Sequence, residues 1–188
     1  KNQLLMQKRC FWVSEDPLYI EYHDKEWGKP VYDDETLFEF LLLESFQAGL
    51  SWITILKKRE NFRKAFDKFD YKKIANYNQK KFDELLENAG IIRNKLKIKS
   101  ATTNAQLFLE IQKEYGSFSK FIWSYVDGKP IVNSFKTRAE VPATTAVSDA
   151  ISKALKKRGF KFVGSTIIYA FMQATGMVND HTTDCFCY

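Results

Sequence analysis

The chain has 188 residues, 45% of them hydrophobic and 28% charged, the balance of a globular protein with one large domain or two intimate lobes. Its 29 basic and 23 acidic residues give a net charge of +6, which favours a polyanionic partner without identifying one. No apolar run reaches membrane-spanning length, and 3 Cys do not make a secreted disulfide framework, so a cytoplasmic protein without membrane contact is expected. The basic start, residues 1–9, is not followed by a long apolar segment and does not read as a secretory signal.

Nearly everything after Asp33 reads as helix. Asp33 or Asp34 caps a predicted helix carrying Leu37, Phe38, Phe40, Leu41 and Leu42 and ending near Glu44. Gln47-Ala48-Gly49-Leu50 breaks the pattern. Ser51 caps the next helix, with Trp52, Ile53, Ile55 and Leu56 on its apolar side and Lys57, Lys58 and Arg59 on its wet side. Asn78 caps a helix holding Phe82, Leu85, Leu86 and Ala89, and Gly90 ends it by accepting a left-handed conformation. A longer helix is predicted from Asn94 to Tyr115, stopped by Gly116, and a shorter one over residues 118–126. Asp127-Gly128-Lys129-Pro130 is a turn, and residues 131–141 could be extended. Ser148 caps a helix closed by Gly159, and Ser165 opens the last one, through Ile168, Ala170, Phe171 and Met172 to Gly176. With no repeat and no series of alternating strands, the expected fold is all-α.

Three constellations carry chemistry. The 2 His each lie near a Cys: Cys10 and His23 at one end of the chain, His181 and Cys185 at the other, with Cys187 close behind. Thiolate and imidazole together suit zinc, and a closed four-ligand set would be structural because it leaves no position for an activated water. Spacing alone leaves open that Cys187 replaces Cys185, or that these are ordinary surface histidines and small buried cysteines. Second, residues 82–99 read as helix, tight turn, helix. The N-terminus of the second helix could bind a phosphate, with Arg93, Lys95, Lys97 and Lys99 nearby, or the element could be a plain helical corner. Third, Tyr19, Tyr22, Trp27 and Trp52 flank Glu44. Rings could sandwich a flat base while the carboxylate accepts from its exocyclic amine, or all could be ordinary core and surface.

Longer motifs decide among these readings. Cys10-Phe11-Trp12, Asp16-Pro17-Leu18-Tyr19 and Tyr22-His23-Asp24-Lys25-Glu26-Trp27-Gly28 resemble the start of the 3-methyladenine DNA glycosylase I family. Glu44-Ser45-Phe46-Gln47-Ala48-Gly49-Leu50-Ser51-Trp52, Lys156-Lys157-Arg158-Gly159-Phe160 and Met177-Val178-Asn179-Asp180-His181 extend the likeness over nearly the whole chain. The resemblance implies a helix-hairpin-helix glycosylase fold in a single domain, residues 1–188, of two intimate helical lobes. It implies monofunctional hydrolysis of 3-methyladenine from double-stranded alkylated DNA, releasing the free base; nothing in the sequence suggests a dimer surface, so a monomer is expected. It implies one structural Zn2+ on Cys10, His23, His181 and Cys185. The base pocket would use Tyr19, Tyr22, Trp27, Glu44 and Trp52, with Glu44 the catalytic carboxylate. Gly49 and Leu50 would wedge into the abasic gap, and Gly90, Ile91, Arg93 and Lys95 would anchor the DNA backbone. Two departures are Ser45, where the family often has Gly, and Phe186, where some relatives have another Cys. The superfamily's Asp beyond the hairpin is also missing, the first one after Gly90 being Asp127. A base already cationic through N3 methylation tolerates that loss.

Overall fold

Asp16 and Pro17 start the first helix that lies wholly among the described residues of the computed structural model, 6–47 and 49–188. The Asp16 carboxylate accepts from Leu18 N at 2.9 Å, and Pro17 sits where a missing N–H costs nothing. This helix, α1 (Pro17–Lys25), precedes Asp33 and is absent from the sequence expectation. It matters to the site because Tyr19, Tyr22 and His23 share one face through it.

Helix α2 (Asp34–Gln47) runs past the expected end at Glu44 and is buried continuously from Leu37 to Phe46. An all-round apolar helix belongs at the centre of a core. The two candidate caps have separate tasks. Asp33 accepts from Thr36 N at 2.9 Å, whereas Asp34 reaches across to Phe118 N, Ser119 N and Gln112 Nε2 at 2.8–2.9 Å. Thus Asp34 caps the start of a distant helix.

Around α2 lie α3 (Trp52–Ala65), α4 (Tyr71–Ile74), α5 (Gln79–Glu87), α6 (Lys95–Tyr115), α7 (Phe118–Trp123), α8 (Ala146–Arg158) and α9 (Ser165–Ala174). Helix α9 packs on α8 and α2, and α6 packs on α4, α5 and α7. The ambiguous stretch after Pro130 contributes β1 (Ile131–Val132), which pairs in parallel with β2 (Val178–Asn179). The rest of it is irregular apart from a 3-10 turn at Arg138–Glu140.

Several predicted boundaries move. Thr145, not Ser148, caps α8; Ser148 is the reciprocal partner of a capping box, accepting from Thr145 N at 2.8 Å. Ser51 occupies the cap position of α3 but its hydroxyl pairs with Thr54 Oγ1 at 2.8 Å. Arg59, expected on the wet face, turns inward between Glu26 and Glu39. Gly176, with φ +71°, lies where a Cβ would come within 2.4 Å of the Lys29–Pro30 backbone. That close approach brings the end of α9 against the segment after Trp27. Among the described residues no helix is long and apolar enough to cross a membrane.

Candidate active site

The two ends of the described chain meet at four buried residues, Cys10, His23, His181 and Cys185, whose ligand atoms all lie within 4.8 Å of one another. Cys10 Sγ is 3.5 Å from His181 Nδ1, and Cys185 Sγ is 3.5 Å from His23 Nε2 and 3.7 Å from His181 Nδ1. The opposite ring nitrogens are held by acceptors. His23 Nδ1 is 2.8 Å from Asp24 Oδ1, and Arg9 grips Asp24 with two bonds. His181 Nε2 is 3.0 Å from the Trp27 carbonyl. Those contacts put the ring protons on the outside and leave the lone pairs facing the thiols, the arrangement of metal-ligating imidazoles. Burial pushes His181 down to about 4 and the Cys10 thiol up to about 12, so the imidazole is neutral and thiolate formation calls for a compensating cation. The group could hold a metal ion. Cys187 is not one of the four, yet it lies close by: half-buried, it groups with His23 and Asp24 within 4.8 Å, and its N–H is 3.4 Å from Cys185 Sγ.

Beside this cluster is a cavity of about 200 Å³ whose walls include Tyr19, Tyr22, Trp27, Glu44 and Trp52, so the five expected pocket residues do converge. Trp12 joins them, with its ring 5.0 Å from Tyr19 and 4.9 Å from Trp27; Tyr22 lies 5.8 Å from Trp52. Helix α1 supplies the phenols, α2 supplies Glu44, and the first residue of α3 supplies Trp52.

Glu44 is buried, and burial raises its carboxyl from 4.5 to about 8. Its Oε2 has no hydrogen-bond partner, nor do Trp12 Nε1, the Tyr22 hydroxyl and Trp52 Nε1. Each such buried polar atom costs about 1–3 kcal/mol. Four of them around one cavity describe a wall awaiting a ligand with a polar edge. The Tyr22 hydroxyl is also pushed upward, chiefly by burial and then by the nearby Glu44 and Glu26 charges, and stays protonated as a donor. Ser45 does not intrude on this wall: its hydroxyl folds back onto Leu42 O at 2.6 Å.

The hairpin is present with a different turn. Helix α5 ends at Glu87 with Asn88 in an extended conformation, and Asn88 Oδ1 accepts from Gly90 N at 2.8 Å. Gly90 is not left-handed; a Cβ there would meet the Asn61 side chain at 3.0 Å, so a larger residue would have to push Asn61 aside. Ile91 is buried as the pin, while Arg93 and Lys95 are exposed near the start of α6. Asn94 caps α6 by accepting from Lys97 N at 3.1 Å. Lys97 departs from the expected basic surface. It is buried and donates to Phe46 O at 3.2 Å, holding the C-terminal end of the helix that carries Glu44. At that end Gly49 has φ +80° and Leu50 is exposed; Ala48, in the same expected break, lies outside the described residues.

Trp12, Gln47, Gln173 and Asp180 also line the cavity and were not singled out from sequence. Trp12 follows the first cluster cysteine and Asp180 immediately precedes His181. Adjacency to the two Cys–His pairs is the signal that could have found them.

A mostly helical frame thus carries an aromatic cavity with a buried carboxyl, and an exposed basic hairpin. The family profile described as methyladenine glycosylase matches residues 12–188, and the chain belongs to that family. It is 53% identical to DNA-3-methyladenine glycosylase 1 of Escherichia coli (strain K12), covering 96% of this chain and 97% of that one. It is likewise 53% identical to the DNA-3-methyladenine glycosylase of Haemophilus influenzae (strain Rd), over 97% and 98% of the two chains. A crystal structure of 3-methyladenine DNA glycosylase I superposes with a TM-score of 0.94 at 54% identity, covering 96% of this chain and 100% of that one. The Staphylococcus aureus enzyme, solved to explain 3-methyladenine recognition, gives a TM-score of 0.92 at 40% identity, with 95% of each chain covered.

Proposed function

We propose that this chain is a DNA-3-methyladenine glycosylase that hydrolyses the N-glycosidic bond of the lesion in double-stranded alkylated DNA. It releases free 3-methyladenine and leaves an abasic site with the sugar backbone uncut. The observation that carries the reading is Glu44, a buried carboxyl with an unpaired oxygen among aromatic rings. A base methylated at N3 is flat and cationic while still attached to the sugar. It enters after leaving the helix stack, which costs a few kcal/mol. Its rings stack against Tyr22 and Trp52, with Tyr19 and Trp27 completing the cage. Its exocyclic amine donates to Glu44, whose proton is lost as the cation arrives, and the resulting ion pair in a dry cavity favours the lesion over a neutral base.

As the C1′–N9 bond breaks, its electron pair neutralises the base, so no proton need be delivered to the leaving group. Water completes the reaction at C1′ and a proton returns to solvent. Gly49 and Leu50 occupy the gap left by the nucleotide. The hairpin over residues 82–99, with Gly90, Ile91, Arg93 and Lys95, holds the phosphates without reading sequence.

Zinc fits the Cys10, His23, His181 and Cys185 set. Tetrahedral bonds of about 2.3 Å to sulfur and 2.0 Å to nitrogen imply S···N edges of about 3.5 Å, and the observed ones are 3.5–3.7 Å. Four protein ligands make that ion structural. One domain, residues 1–188, acting as a monomer, suffices for this chemistry. Release of free 3-methyladenine from methylated DNA, measured with EDTA present, tests the reading. Intact protein that binds DNA and releases no base would make it a binding module instead.

A further inference from the structure

The cavity has a second polar wall, built by the C-terminal part of the chain. Asp180 is buried and lines it, as does Gln173 on α9. The Asp180 carboxylate is fully engaged: Oδ1 accepts from Asn133 Nδ2 at 2.7 Å, and Oδ2 accepts from Gln173 Nε2 at 3.0 Å and from the Tyr169 hydroxyl. A carboxylate offers only acceptors, so the Gln173 amide must turn its NH2 toward it. Its carbonyl Oε1 then receives no hydrogen bond from a described residue, and the side chain that carries it lines the cavity. Tyr169 and Gln173 come from one helix, Asn133 from the segment after β1 and Asp180 from the segment after β2. Four side chains from three segments therefore fix the direction of one amide oxygen.

We propose that Gln173 Oε1 holds the water that attacks the deoxyribose, and that Asp180 is the positioning residue that sets the Gln173 amide. The inference rests on the glycosylase reading of this cavity and adds what that reading lacks, a group for the nucleophile. The water donates one hydrogen to Oε1, which directs a lone pair at C1′. The O–C1′ bond forms as C1′–N9 breaks, the bonding pair goes to the departing cationic base, and the surplus proton of the water leaves to solvent. A cationic nucleoside and water thus give a neutral sugar, a neutral base and one proton. The amide acts by orientation, and no group of the wall changes its protonation state.

Single-turnover excision of 3-methyladenine from methylated DNA, paired with binding of free 3-methyladenine followed by tryptophan fluorescence, tests the assignment. Gln173→Leu is expected to slow excision by about 10- to 100-fold, the usual cost of a misplaced reactant. Binding of the free base is expected to be unchanged, since Glu44 and the rings are untouched. Asp180→Asn keeps one oxygen acceptor and should show the same split to a smaller degree, and the double variant should be no slower than Gln173→Leu, because both act on the same oxygen. Gln173→Leu cutting at the wild-type rate, or losses that multiply in the double variant, would overturn the proposal. So would Asp180→Asn losing base binding while Gln173→Leu stays normal, the pattern of a purely structural tie. Metal content and far-UV circular dichroism accompany each variant. Where Asp180→Asn loses either, the Gln173→Leu rate decides alone. Wild-type protein that releases no 3-methyladenine would refute the glycosylase reading itself, whereas normal release by both wild type and Gln173→Leu refutes only the role of Gln173.

Discussion

Glu44→Gln should slow the enzyme and stabilise the fold, and the second effect should grow with pH. In the folded protein burial holds the Glu44 carboxyl at about 8, against 4.5 when exposed. The sign follows from proton linkage: a group raised on folding contributes its full stability below 4.5 and loses it as pH rises through about 8. Each pH unit across that window costs about 1.4 kcal/mol, so wild-type protein forfeits about 3 kcal/mol by pH 7 and less than 1 kcal/mol by pH 5. Glutamine has nearly the same shape and nothing to titrate. The stability of Glu44→Gln relative to wild type should therefore rise by about 2–3 kcal/mol between pH 5 and pH 7, which is roughly 4–12 °C in Tm for a chain of this size. Meanwhile excision should fall by about 10- to 100-fold, the value of a charge-assisted hydrogen bond. Urea titrations at the two pH values, with a base-release assay on the same samples, measure both. A relative stability that does not change with pH would refute the buried-acid argument, and normal excision would refute the role given to the carboxylate.

Metal analysis is expected to find one zinc per chain, and Cys185→Ser should lower stability by about 3 kcal/mol or more, near 6–12 °C in Tm; normal thermal stability in that variant would contradict the four-residue centre. Arg93→Ala and Lys95→Ala should each weaken DNA binding similarly for all sequences and reduce the salt slope by about one, with binding of free 3-methyladenine unchanged in fluorescence titrations. Gly176→Ala should cost about 2–4 kcal/mol in chemical denaturation, because its Cβ would strike the Lys29–Pro30 backbone at 2.4 Å from a residue with φ +71°. A neutral result there would mean that the end of α9 can withdraw from the Trp27 segment.

What the sequence disclosed depended on how local the signal was. The cluster of Cys10, His23, His181 and Cys185 is visible because soft ligands are few and fall in two pairs, although spacing alone does not separate Cys185 from Cys187. The aromatic cavity was visible in its contributors from α1 to α3. Helix α1 itself escaped because its apolar period is weak, yet Asp16-Pro17 marks its start. Long-range pairings were the least legible. Asp34 reads as a local cap and serves α7; Lys97 reads as surface charge and is spent inside on Phe46 O; Arg59 reads as solvated and joins two glutamates. A charge pattern on one helix cannot reveal which other helix will supply the partner. Gly90 reads as a cap for the same reason, since nothing nearby in sequence announces Asn61.

The meeting of residues 8–10 with residues 181–186 has a mechanical consequence. Phe186 N donates to Lys8 O at 2.9 Å beside the cluster, so the first and last described segments lie side by side. An ion bound between them closes a ring around almost every helix, and a ring of that length removes about 4–5 kcal/mol of freedom from the unravelled chain if it behaves as a covalent cross-link does. Tension applied to the two ends would load the Lys8–Phe186 hydrogen bond and then the Cys10 and Cys185 sulfurs, with the helices shielded behind them. Such a molecule should resist pulling and exopeptidase trimming until the clasp is extracted, and then give way together.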